Sequence, residues 1–111
     1  MIFVLADDRM LHVINSESES QGAFEGIDVE EDSCKFFDET GSPLVAIFLK
    51  PNKRGRLFGI LPWVESGIYS LVPDESCGLP RLLDVWDSIA GLEANVHFAT
   101  LEEVRCFLTN R

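Results

Sequence analysis

No run of apolar residues in this chain approaches the length of a membrane span. Residues 1–6 are apolar but meet Asp7 and Asp8 at once. A secretory leader wants a basic start and a longer apolar stretch, so none is expected. Cysteine is sparse as well. Cys34, Cys77 and Cys106 are odd in number and far apart, which is poor material for a disulfide framework. No Cys-x-x-Cys pair argues for structural zinc. These absences predict reduced thiols in a cytoplasmic protein that holds no metal and no other cofactor. Phosphate-binding loops are missing too: Gly55-Arg56-Leu57-Phe58-Gly59 lacks the Gly-Lys-Ser/Thr element, and the segment between Gly22 and Gly26 is acidic.

Basic residues are few. Nine Lys and Arg stand against 19 Asp and Glu, for a formal charge of −10. The imbalance is lopsided. Residues 1–39 hold eleven acids against Arg9 and Lys35, a net of −9, while residues 40–111 hold eight acids and seven bases, a net of −1. A field of this sign repels nucleic acid and anionic lipid, so neither is an expected partner, and it attracts a basic protein.

What is present is material for one compact domain over residues 1–111. Hydrophobic residues make up 46% of the chain, and a chain of 111 residues can bury a core without metal or disulfide staples. No repeat or long linker divides it. Residues 1–6 read as a buried strand. Met10, Val13 and Ile14 fit one face of a short helix that Asp7 or Asp8 caps; the alternative is a turn at Asp7-Asp8-Arg9 followed by a strand, and the spacing favours the helix. Residues 16–22 contain no apolar side chain, which predicts a solvated loop or an exposed helical turn with no part in a core. Ser16 and Glu19 have capping-box spacing.

The strongest local pattern follows. Cys34-Lys35-Phe36-Phe37 and the run from Pro43 to Leu49 flank Asp38-Glu39-Thr40-Gly41-Ser42, a β-hairpin with turn residues where a tight reversal needs them. Residues 44–49 do not alternate, so this strand is expected to be covered on both faces, by helices on one side and by a further layer or a second subunit on the other. Pro51 and Gly55 predict a basic loop over residues 50–56. Residues 57–61 and 67–72 read as strands, with Trp63 in the loop between them.

Helices come last. Pro80 suits a first turn, Leu82, Val85, Trp86 and Ile89 share a face, and Gly91 suits a stop. Residues 95–98 suit a brief strand. Thr100 and Glu103 make a capping box for a final helix with Leu101, Val104, Phe107 and Leu108 as its buried stripe. Strands first and helices last predict an α+β fold, a mostly antiparallel sheet with two C-terminal helices packed on one face.

For function, His12 and His97 each lie in apolar stretches, where a packed role outweighs a catalytic one. Cys106 or Cys77 with His97 as base is the weakest reading, a hydrolase, because nothing visible activates either thiol. Carboxylates give the best clue. Glu25, Asp28, Glu30, Glu31 and Asp32 gather before the hairpin and suit capture of a basic protein, as an immunity-type inhibitor captures a toxin, with Trp63 as an anchor. The alternative is a structural or regulatory homodimer joined through the two-faced strand.

Overall fold

In the computed structural model, residues 1–23, 34–50, 53–57, 61–65, 68–74 and 78–110 are described. The fold is α+β. Six strands form one sheet in the order β7-β4-β3-β1-β2-β8: β1 (Ile2–Ala6), β2 (Met10–Ile14), β3 (Cys34–Phe37), β4 (Pro43–Lys50), β7 (Ile68–Pro73) and β8 (Gly91–Leu92). Neighbours are antiparallel except β2 and β8, which run parallel. A second, two-stranded sheet joins β5 (Lys53–Leu57) to β6 (Leu61–Glu65). The helices are α1 (Glu17–Ala23), a 3₁₀ helix (Leu82–Ser88) and α2 (Leu101–Thr109).

The central strand explains the layering. β1 buries Phe3 and Leu5 on one face and Val4 on the other, so both faces need a cover. On the first face, Phe3, Leu5, Leu11, Val13 and Phe37 pack with Leu82 of the 3₁₀ helix and Val104 and Leu108 of α2. Phe98 and Phe107 close over Phe3, with ring centroids 6.1 and 6.4 Å from it. On the second face, Val4, Ile14, Cys34, Phe36 and Tyr69 form a separate cluster, flanked by Leu44, Ala46, Phe48 and Leu71.

On that second face the helical alternative for residues 16–22 is realised, but not as a segment outside the core. α1 begins at Glu17, where Ser16 Oγ accepts from Glu19 N at 3.3 Å, and it presses Ser20 wholly out of solvent. An all-polar segment thus enters the core because its one buried hydroxyl finds a partner there. The carboxylate of Glu19 reaches back one residue past the cap, to Asn15 N at 3.1 Å. α2 repeats this arrangement: Thr100 Oγ1 accepts from Glu103 N at 3.2 Å, and Glu103 accepts from Ala99 N at 2.7 Å.

Residues 10–14 form a strand, not a helix. Arg9 N donates to Ala6 O at 2.9 Å, Asp8 Oδ1 accepts from Met10 N at 2.9 Å, and Arg9 takes a φ of 67°. This three-residue loop with a left-handed last residue closes a hairpin. Leu11 and Val13 then face one core and Ile14 the other, which a strand satisfies and a short helix does not.

The expected hairpin between β3 and β4 is present. Asp38 Oδ1 accepts from Thr40 N and Ser42 N, both at 2.9 Å, and Gly41 takes the left-handed turn position with φ 83°. Two expectations beyond it fail. The basic loop expected over residues 50–56 fails where the structure describes it: Lys50 ends β4, Lys53–Leu57 is a strand, and Gly55 sits in its ladder opposite Trp63, which is accordingly a strand residue as well; residues 51–52 lie outside the described residues. A bulge interrupts the β4–β7 ladder between Phe48 and Lys50. The β5–β6 ladder runs from Lys53↔Glu65 to Leu57↔Leu61 as its own two-stranded sheet. The extents of the molecule are 55 × 30 × 23 Å.

Nor is β4 covered on both faces. Ile47 is 50% and Leu49 70% exposed. The C-terminal helices rest on β1, β2 and β3, and neither Val45 nor Ile47 belongs to the cluster they form. In the C-terminal third the expected α-helix is a 3₁₀ turn set by Asp84, whose Oδ2 accepts from Arg81 N at 3.0 Å. Gly91 does not stop it but begins β8 beside Met10. The expected strand over residues 95–98 is a turn, with Asn95 Oδ1 accepting from His97 N and Phe98 N at 2.9 and 2.8 Å.

Candidate functional site

The acidic residues divide by role. Glu17 turns inward: its Oε1 accepts from Leu71 N at 2.6 Å, tying α1 to β7. Glu19 accepts from both the backbone and the side-chain amide of Asn15, at 3.1 and 3.0 Å. Asp38 holds the β3–β4 turn. These carboxylates build the fold, and each has a local donor.

Asp8 likewise holds the turn between β1 and β2, accepting from Met10 N at 2.9 Å, and both it and Asp7 are exposed there. Ala6 pairs with Cys34 across β1 and β3, so this turn lies at the end of the sheet where the chain enters β3. Glu25, Asp28, Glu30, Glu31 and Asp32 fall outside the described residues, but Asp32 is two positions before Cys34. Trp63 belongs to β6, in the two-stranded sheet.

A cleft opens between β3 and β4. Pairing there is limited to Phe36↔Leu44 and Phe37↔Pro43, because each strand otherwise follows its outer neighbour, β1 or β7. The space is about 490 Å³ and is lined mostly by apolar groups, among them Phe36, Leu44, Ala46 and Phe48. Among the described residues, Cys34 and Lys35 are its titratable lining groups, and no carboxylate or imidazole lines it.

The conceivable nucleophiles and bases go elsewhere. His97 Nε2 hydrogen-bonds Asn15 Oδ1, and Cys106 Sγ donates to Glu102 Oε1 at 3.8 Å. Cys34 is buried and Cys106 exposed, both as free thiols, while Cys77 lies outside the described residues. Among the described residues no three His, Cys, Asp or Glu stand close enough to hold a metal, and no helix is long and apolar enough to cross a membrane.

Sequence reasoning missed Tyr69. Its hydroxyl is buried on the second face, 2.8 Å from Ser20 Oγ and 3.2 Å from Ser20 O. Burial pushes the phenol above its ordinary value; the Ser20 bond opposes this, and Cys34 and Glu17 add to it. Nothing in residues 16–22 or 67–72 signals the pair. The exposed apolar side chains of β4 did have a signal, the loss of alternation over residues 44–49. Set beside models of known protein families, curated proteins and solved structures, the chain matches none.

Proposed function

We propose that the protein is a non-enzymatic interaction domain that captures a basic protein partner on the acidic end of its sheet. The observation that carries this reading is the Ala6↔Cys34 pairing, which sets exposed Asp7 and Asp8 beside the point where the acidic run of residues 25–32 joins β3. Carboxylates concentrated at one end of a rigid sheet steer a basic surface into contact and can stand in for phosphates in its cleft. Inhibition of a basic toxin, in the manner of an immunity protein, is one concrete form. A cytoplasmic setting fits a chain whose Cys34 and Cys106 are free thiols. Trp63, opposite Gly55 in the two-stranded sheet, would serve as an anchor for the partner.

The test is a charge-matched comparison. Glu30→Lys/Glu31→Lys/Asp32→Lys is set against Asp87→Lys/Glu93→Lys/Glu102→Lys, which changes net charge equally at exposed positions elsewhere. Each protein is used to capture partner from native lysate at low salt. The reading expects capture to fail for the first variant alone. Equal loss in both reduces the effect to net charge and overturns the assigned surface.

A further inference from the structure

We infer that the cleft between β3 and β4 binds a single-chain carboxylate, with its alkyl chain along β4 and its head held by Lys35 and Arg9. The inference does not rest on capture of a basic partner, and its test uses the purified chain alone.

The cleft exists because the helical cover stops short. The C-terminal helices rest on β1, β2 and β3, and β3 meets β4 only at Phe36↔Leu44 and Phe37↔Pro43. A space of about 490 Å³ is left, within the range of small-molecule sites. Leu79 and Pro80, just before the 3₁₀ helix, line it together with the two strands. Its β4 wall runs from Pro43 to Phe48, roughly 16 Å at about 3.3 Å per residue, and is apolar throughout. A long, narrow apolar wall suits an extended alkyl chain better than a compact ring.

Lys35 decides the head. It lines this cleft and also a smaller space of about 190 Å³, where Arg9 and Ser88 lie. Leu5 stands opposite Lys35 across β1 and β3 and belongs to the first core, so Lys35 shares the face on which the 3₁₀ helix rests. The residues before that helix line the cleft, Ser88 at its end lines the smaller space, and Lys35 joins the two. Ala90 N donates to Arg9 O at 2.8 Å, which holds the β1–β2 turn against the end of the helix.

Arg9 and Lys35 are the only bases in residues 1–39, and both line the smaller space. Among the described residues no carboxylate forms an ion pair with either side chain. Asp7 lines the same space, so two positive charges face one negative. The Ser88 hydroxyl is committed to Val85 O at 2.7 Å, which leaves Lys35 and Arg9 as the donors for an anion. A neutral chain would leave these two cations unanswered, and a cationic chain would meet them head on. The net charge of −10 opposes any anion, so burial of the alkyl chain supplies most of the affinity and the two bases fix its direction.

The test is titration of the isotope-labelled full chain with decanoate, decan-1-ol and decylamine, each below its aggregation concentration, followed by two-dimensional NMR. Decanoate should shift the amides of Lys35, Val45 and Ala46 saturably, and the alcohol and the amine should bind at least tenfold more weakly. Lys35→Glu and Arg9→Glu should each weaken decanoate about tenfold. Arg105→Glu, the same change of charge at an exposed position on α2, should leave it unchanged. Circular dichroism confirms folding of each variant, and Lys35→Gln or Arg9→Gln replaces a reversal that unfolds. Absence of saturable shifts with decanoate overturns the inference. So does equal binding of decan-1-ol, or a Lys35 or Arg9 variant that binds no differently from Arg105→Glu.

Discussion

Ser20 and Tyr69, 49 positions apart, meet as a buried hydroxyl pair with their oxygens 2.8 Å apart. Tyr69 donates its one proton to Ser20 O at 3.2 Å, so Ser20 Oγ is the donor to Tyr69 Oη. This contact lets a helix with no apolar residue on its first turns seal the second face of the sheet, together with the Glu17 bond to Leu71 N.

Cutting the pair from either side should be costly. Ser20→Ala removes a donor but leaves Tyr69 a carbonyl to donate to, and should cost about 1 kcal/mol. Tyr69→Phe strands the Ser20 hydroxyl in the core and should cost about 2 kcal/mol. The double variant should be less destabilised than the two losses combined by about 1 kcal/mol, read from urea denaturation. Strict additivity would show that the two hydroxyls are not coupled.

Tyr69 is the sole tyrosine, so its ionisation can be followed by phenolate absorbance without interference. Burial raises its folded pKa above the unfolded value of about 10. The folded state holds this proton more tightly than the unfolded state does. The stability so gained is complete below about pH 10 and is lost as pH rises through the folded pKa. The native titration should lie alkaline of the titration in denaturant. Ser20→Ala should move it further, since the Ser20 bond pulls the value down. Coincident native and denatured curves would contradict a buried phenol.

Gly41 is held by φ and by space together. Its φ is +83°, and a Cβ there would lie 3.3 Å from Leu108 Cδ2 and 3.7 Å from Leu82 Cβ. Gly41→Ala should lower stability by roughly 1–2 kcal/mol, since it strains the turn and lifts α2 and the 3₁₀ helix from the sheet. An unchanged denaturation midpoint would show that the turn relaxes freely.

Local chemistry was legible wherever it decided structure. The turn at residues 38–42 and the Thr100 cap could be read because their side chains bond to nearby backbone. Residues 10–14 could not, because Met10, Val13 and Ile14 fit a helical face as readily as Leu11 and Val13 fit a strand. Only the pairing of β2 with β1 decides between them. Ser20 was invisible because its partner is distant in sequence. The lost alternation of β4 was read as burial on both faces, whereas Ile47 and Leu49 are open. The concentration of acids was plain from composition. Which of them the fold consumes was not: Glu17, Glu19 and Asp8 are committed to internal bonds, and Asp7 and Asp8 are exposed.

Capture of a basic protein by the acidic end is tested most directly by the salt dependence of the affinity between the purified domain and the partner it retains. Attraction between exposed charges is screened within about 8 Å at physiological ionic strength. Affinity should therefore fall steeply as sodium chloride rises, and the slope should flatten in Glu30→Lys/Glu31→Lys/Asp32→Lys. An affinity indifferent to salt, or a slope the triple variant leaves intact, would contradict the account.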